Sequence, residues 1–326
     1  MSVAEKNGSM VEDLPMKYAM MAHHAYENHD DDLAWNMVNT SLELEPTLAG
    51  ALFLKGVIAL ARGDYKTGWP LFEYRCARKD ARNWGHRYTD RPMWGGDVNR
   101  PCRLLLWAEE GYGDTIQMLR FVRSIPRTFD VVLEVQGALV TLCKNSFPWI
   151  DVRGVWEKDL EFDLHCSLLS LPYLFKVTTR TIPTLPYLVP VSDFDPILPA
   201  KKGICWKGAT NAIPVEALSP VTDAHDFLNL QVESNSFGSF AETAAVVSKL
   251  DMVLTVDTAL AHLSGALGKE TWVILSRVSD WRWGRHGTTT PWYPSMRLFR
   301  ERDYESRGAM VLDIKRRMDA RDAQDE

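Results

Sequence analysis

With 326 residues, 46% hydrophobic and 25% charged, the chain is long enough for two domains and reads as soluble and globular. Its formal charge of -6 and pI near 5.8 give no electrostatic footprint for nucleic acid. No apolar run approaches the roughly 20 residues that a membrane-spanning helix needs. Five cysteines (76, 102, 143, 166 and 205) are an odd number without a Cys-x-x-Cys pair, which argues against zinc and against a disulfide framework. The opening "MSVAEKNGSMVEDLPM" has no apolar core of a signal peptide. Reduced, mostly buried thiols in a cytoplasmic protein are therefore expected.

The first predicted elements are helical. In "LFLKGVIALARGDYKTGWPLFEYR", Gly56, Gly63, Tyr65 and Phe72 have the spacing of a tetratricopeptide helix pair, with Gly63-Asp64 as the turn. A step back of 34 residues maps Gly68 onto Ala34, Phe72 onto Val38 and Gly56 onto Ala22, and Pro46 sits where a closing proline belongs. Residues 15–82 thus read as two tetratricopeptide-like repeats, the first degenerate because "ENHDDD" replaces the usual turn. Two repeats are too few to stand alone, so this block is expected to lean on the domain C-terminal to it. Residues 83–100, rich in Gly, Pro and aromatics, read as a connector.

Short β-rich runs then alternate with helices. "RLLLW" (103–107) reads as a buried strand, followed by a helix over 114–123, the strand "VVLEV" (131–135) and the short helix "GALVTLCKNS". "WIDVRGVW" and "FDLHCSLLSLP" read as further extended runs. "TIPTLPYLVPVSDFDPILP", with five prolines in 19 residues, reads as a linker. A second alternation starts at "GICWK" (203–207) and continues with "DFLNLQV", the helix "SFAETAAVVSKL" and the strand "MVLTVD" (252–257). The helix "TALAHLSGALG", the strands "TWVILS" (271–276) and "MRLFR" (296–300), and a last amphipathic helix to about Met318 complete it. Strand–helix alternation on this scale means parallel sheets covered by helices. The expected fold class is α/β, a pair of Rossmann-type domains (101–190 and 200–318) facing across a cleft.

Four stretches carry candidate chemistry. Gly111-Tyr112-Gly113-Asp114 follows the first strand, but Ile116 stands where a dinucleotide fingerprint needs its third glycine, and no Gly-Lys-Ser/Thr makes a P-loop. Asp114 either caps the next helix or offers a carboxylate that takes a proton from a hydroxyl. In "LTVDTALAHLSGALG", Asp257-Thr258 starts a helix with His262 one turn in. Small residues and free N–H groups there suit a diphosphate, although a capped helix with a buried histidine looks the same. In "GICWKGATN", Lys207 leaves a strand end and can offset phosphate charge or lie solvated. In "SDWRWGRHGTTTPWYPSMRLF", Trp281, Arg282 and Trp283 could stack on a base or sugar, or plug a groove. The "DFD" at 193–195 lies in the proline linker and is a poor metal motif.

Taken in order, "FEYR", "PMWGG", "LLLWAEEGYGDTIQMLRF", "VVLEVQ", "DLHCSLLSLP", "IPVEAL", "FAETAAVV", "VDTALAHLSGALGK", "DWRWGR" and "PWYPSMRLFR" resemble bacterial tetratricopeptide-repeat proteins that end in a heptosyltransferase-like (family nine) glycosyltransferase domain. The resemblance spans about residues 50 to 315. It implies a GT-B architecture and inverting, metal-independent transfer of a sugar from a nucleotide-diphosphate donor, with no cofactor. It implies Asp114 as general base in an acceptor-side loop that includes Glu110, Gly111, Gly113 and Gln117. It implies a donor side built from Lys207, Gln231, Asp257, Thr258, Ala259, Leu260 and His262. The acceptor is left open among a protein, a glycan, a small molecule and a modified nucleic-acid base, and the helical repeats would offer a surface to a protein partner. The chain departs from the pattern in "KGATNAIPVEAL" and between Gln231 and Phe240, both shorter than in relatives. Those two trims support an alternative: a non-catalytic binding or scaffold protein.

Overall fold

A computed structural model describes residues 13–77, 88, 90–155, 160–208, 212–231 and 239–325. The chain forms two compact units, Met1–Gly85 with Asp280–Gly284, and His86–Ser279 with Arg285–Glu326.

The first unit holds four helices: α1 (Leu14–Glu27), α2 (Asp31–Leu44), α3 (Ala49–Ala61) and α4 (Tyr65–Phe72). Asp13, Asp30 and Asp64 cap α1, α2 and α4, each accepting a backbone N–H three residues on. The turns after α1 and α3 share one geometry. His29 (φ 60°) and Gly63 (φ 82°), 34 residues apart, both take the left-handed conformation. Asp30 N–H then bonds Ala25 C=O at 3.0 Å, and Asp64 N–H bonds Ala59 C=O at 2.9 Å. Packing repeats with the same period: Ala22, Ala34 and Val38 are fully buried at the positions of Gly56, Gly68 and Phe72. The glycines are needed at the second hairpin. A Cβ on Gly56 would lie 2.8 Å from the Phe72 nitrogen, and one on Gly68 would lie 2.6 Å from Leu60 Cδ2. Residues 78–82 of the expected repeat block, and 83–87 and 89 of the connector, lie outside the described residues.

The second unit contains two all-parallel sheets. The first has strands β1 (Arg103–Trp107), β2 (Asp130–Val135), β3 (Asp151–Gly154) and β4 (Leu164–Ser167) in the order β3-β2-β1-β4. Helices α5 (Tyr112–Met118), α6 (Val140–Ser146) and the single turn α7 (Leu171–Leu174) connect and flank them. The second has β5 (Lys202–Cys205), β6 (Phe227–Asn229), β7 (Met252–Val256), β8 (Thr271–Leu275) and β9 (Met296–Arg300) in the order β6-β5-β7-β8-β9. Its helices are the single turn α8 (Ser219–Thr222), α9 (Phe240–Lys249), α10 (Ala259–Ala266) and α11 (Arg307–Asp325). Strands β7 and β8 are buried throughout, as parallel strands covered on both faces must be. The fold is α/β with two Rossmann-like halves, preceded by an all-helical region. The proline-rich stretch runs between the sheets without regular structure.

Three elements differ from expectation. The helix expected over 114–123 starts at Tyr112 and tightens to a 3-10 helix at Leu119–Ser124, where the buried Arg120 guanidinium bonds carbonyls outside the helix. "FDLHCSLLSLP" is extended only over Leu164–Ser167. There the Ser167 hydroxyl accepts Leu169 N–H at 3.2 Å and starts a helical turn. The last helix continues past Met318 to Asp325, supported by Arg321–Glu270 and Lys202–Asp322 ion pairs at 3.0 and 2.7 Å.

Candidate active site

In each sheet the strand order reverses at one place, between β1 and β4 in the first and between β5 and β7 in the second. Crevices beyond the carboxyl ends of strands at such points are where open α/β sheets bind ligands. The loops after β1, β5 and β7 carry the sequence's candidate residues.

The loop after β1 turns at Glu110, whose φ of 67° is rare outside glycine. Gln136 Nε2 donates to the Glu110 carbonyl at 3.2 Å. Gly111 then caps α5, and Asp114 Oδ2 accepts the Gly111 N–H at 2.9 Å. Both readings of Asp114 start from this geometry: the carboxylate closes the helix end and stays half-exposed at the crevice. Gln117, one turn on, is buried, and its carbonyl accepts Arg120 Nε at 2.9 Å. Behind the loop, buried Glu109 accepts the Ser167 hydroxyl at 2.5 Å across the β1–β4 reversal. Glu134, the acid at the end of β2, is buried and accepts the Tyr88 hydroxyl at 3.0 Å. It is thus tied into the core.

The loop after β7 is built for close approach. Thr258 caps α10, its hydroxyl accepting Leu260 N–H at 3.2 Å, and the first turn of α10 carries no acid. Asp257 and Ala259 flank it, half-buried. The register Cys205↔Thr255 sets the β5 loop beside it. A Cβ on Gly208 would lie 2.6 Å from Thr258 Cγ2, so only glycine lets these loops touch. Lys207 is exposed at the strand end and forms a bridge with Ala212; residues 209–211 lie outside the described residues. Gln231 holds this loop in shape. Its Oε1 accepts the N–H groups of Trp206 and Lys207 at 3.0 and 3.1 Å and the Cys205 thiol at 2.8 Å, and its Nε2 donates to Lys207 C=O at 3.2 Å. Residues 232–238, where the sequence looks trimmed, lie outside the described residues.

The two halves meet at these loops. A Cβ on Gly113 would lie 3.0 Å from His262 Cδ2 and 3.7 Å from Ala259 Cα, so the α5 loop lies against the first turn of α10. The Tyr112 and Phe240 rings meet at a tilt across the same junction, centroids 5.0 Å apart. His262 is 5% exposed, with Nδ1 3.0 Å from the Tyr293 hydroxyl. Beneath it Arg120 gives hydrogen bonds to Trp292 and Pro183 carbonyls at 2.6 and 3.0 Å and lies over the rings of Tyr187, Trp292 and Tyr293. Burial opposes the Arg120 charge, yet the two tyrosines raise its pKa, while burial pushes the Tyr293 hydroxyl well above its usual range.

Of the two readings of Trp281 and Trp283, their burial fits a packing role. The two rings are 4% and 1% exposed, and Trp281 stands edge-on to Trp69 and Phe72 at 5.4 and 5.5 Å within the helical unit. Arg282 bonds Asp280 at 2.9 Å and covers the Trp281 ring. Among the described residues no three His, Cys, Asp or Glu side chains form a metal-holding group, and no helix is long and apolar enough to cross a membrane. The sequence did not point to Glu109, Arg120, Ser167 or Tyr187; the strand-end positions of Glu109 and Ser167 were the one available signal.

No protein-family model matches the chain. It is 24% identical to Protein FlbA of Caulobacter vibrioides over 323 residues, 79% of this chain and 53% of that protein, so it spans about half the length of this relative. Similar solved structures include E. coli ADP-heptose LPS heptosyltransferase II, 10% identical, with a TM-score of 0.47, covering 67% of this chain and 98% of the other. A family 9 glycosyl transferase from Veillonella parvula is 11% identical, with a TM-score of 0.43 over 62% and 86%. The iron-containing heptosyltransferase TibC, in complex with ADP-D-beta-D-heptose, is 12% identical, with a TM-score of 0.41 over 58% and 64%.

Proposed function

We propose that the protein is an inverting glycosyltransferase that moves a sugar from a nucleotide-diphosphate donor to an acceptor hydroxyl, without a metal or other cofactor. The observation that carries this reading is the contact of Gly113 with His262 and Ala259. It brings the loop that carries Asp114 against the first turn of α10, which holds no acid. A carboxylate and an anion-binding helix end, brought together from two switch points, are the two tools that displacement of a diphosphate requires.

In this reading Asp114 takes the proton of the acceptor hydroxyl as its oxygen attacks the anomeric carbon. The bond to the diphosphate breaks on the opposite face. Negative charge developing on the diphosphate is met by Lys207 and the N–H groups of Thr258 and Ala259. Leu260 N–H already serves the Thr258 cap, so it drops from the expected donor set. Gln231 acts by shaping the Lys207 loop. The helical hairpins, with their 34-residue period, act as tetratricopeptide-like repeats that present a surface to a protein partner.

The alternative, a non-catalytic scaffold, is favoured by one feature: the Asp114 carboxylate already serves its own helix end. Calorimetry of the full chain against nucleoside diphosphates and their sugar conjugates separates the two. The reading predicts that at least one binds, and more weakly after Lys207→Ala. Binding of none would favour the scaffold.

A further inference from the structure

We propose that Tyr293 is the positioning residue that fixes His262 as the tautomer protonated on Nε2, with that N–H edge against the Gly111–Asp114 loop. A neutral imidazole has one donor and one acceptor nitrogen, and the partner of one nitrogen sets the state of the other. The partner of Nδ1 is the Tyr293 hydroxyl at 3.0 Å. The Tyr293 proton has two directions open to it, Nδ1 and the Tyr187 oxygen at 3.5 Å. The Tyr187 proton goes to the Ile116 carbonyl at 2.9 Å, and its oxygen already receives Arg120 Nη2 at 3.4 Å. The shorter contact takes the Tyr293 proton, so Nδ1 accepts and Nε2 keeps its hydrogen.

Two glycines hold this arrangement in place. A Cβ on Gly265 would lie 2.4 Å from Tyr293 Cδ1, so glycine lets the phenol lie flush on α10. On the other side of the imidazole a Cβ on Gly113 would be 3.6 Å from Nε2, which places that edge at the loop carrying Asp114. Arg120, 4.5 Å from the Tyr293 ring centroid, holds the phenol in place from behind. A locked N–H donor at this edge holds the loop that carries Asp114 in one arrangement during transfer. That consequence rests on the glycosyl-transfer reading; the tautomer assignment does not.

The test is long-range proton–nitrogen NMR of the full chain labelled with nitrogen-15 histidine, with His262 assigned by comparison with His262→Gln. The wild-type spectrum should show His262 protonated on Nε2 and unprotonated on Nδ1. Tyr293→Phe should give a mixture of tautomers, while Tyr187→Phe keeps the wild-type pattern. A wild-type His262 protonated on Nδ1 would overturn the proposal even if the variants fail to fold, as would an unchanged pattern in Tyr293→Phe. With a donor identified by calorimetry, Tyr293→Phe should lower kcat by on the order of tenfold at nearly constant donor KM, because a misoriented imidazole costs turnover more than binding. An unchanged kcat would overturn the positioning role. A wild-type protein that binds no sugar nucleotide would instead count against the glycosyl-transfer reading and leave the tautomer result standing.

Discussion

The Gly111–Asp114 loop and the Asp257–His262 turn each leave a strand that borders the reversal of order in its sheet, yet they treat charge in opposite ways. Each follows a central strand at a reversal of strand order and opens a helix toward the crevice. At α5 the chain supplies its own anion, because Asp114 caps the helix from its third position. At α10 a neutral threonine makes the cap and no acid lies in the first turn, although Asp257 stands just before it. In the proposed reading, one backbone device becomes a base-bearing loop in one half and an anion-binding turn in the other. The side chains decide which.

The largest effect on stability should come from Arg120→Met, which breaks the link beneath both loops. Removing a buried, hydrogen-bonded guanidinium strands the Pro183 and Trp292 carbonyls. The expected loss is about 3 kcal/mol in denaturant unfolding, and a change under about 1 kcal/mol would show that the halves are joined elsewhere. Gly208→Ala acts on the second loop alone. A methyl group 2.6 Å from Thr258 Cγ2 must push apart the β5 and β7 loops, since threonine is stiff at its first torsion. Nucleotide affinity should fall about tenfold, or ~1.4 kcal/mol, by calorimetry. Thr258→Ala removes the α10 cap and should cost about 1 kcal/mol of stability, with weaker nucleotide binding as the accompanying sign. The smallest change is expected from Asp114→Asn, within about 0.5 kcal/mol in thermal unfolding, because the asparagine Oδ1 can still accept the Gly111 N–H.

The strands were legible in the sequence because parallel strands buried on both faces read as unbroken apolar runs; "RLLLW", "MVLTV" and "TWVIL" match β1, β7 and β8. The helical hairpins were legible through spacing, down to the degenerate first turn, where His29 takes the backbone conformation that Gly63 takes in the second. The two candidate loops could be found from their glycines and strand ends, but their contact could not. Gly113 and His262 are brought together by the packing of two sheets, which leaves no mark on local spacing. Arg120 shows the same limit. Beside apolar residues in a helical stretch it resembles a surface arginine, and its burial depends on carbonyls 63 and 172 residues away. Trp281 looked suited to stacking because tryptophan-rich loops often are. Its actual partners, Trp69 and Phe72, lie some two hundred residues earlier in the chain.

The division of labour between the loops is tested most directly by Asp114→Asn, with nucleotide binding and sugar transfer measured on one preparation. The account predicts that transfer falls at least about a hundredfold, while nucleotide affinity stays within about twofold and the melting temperature is nearly unchanged. Transfer at the wild-type rate, or a loss of nucleotide binding that matches the loss of transfer, would contradict it.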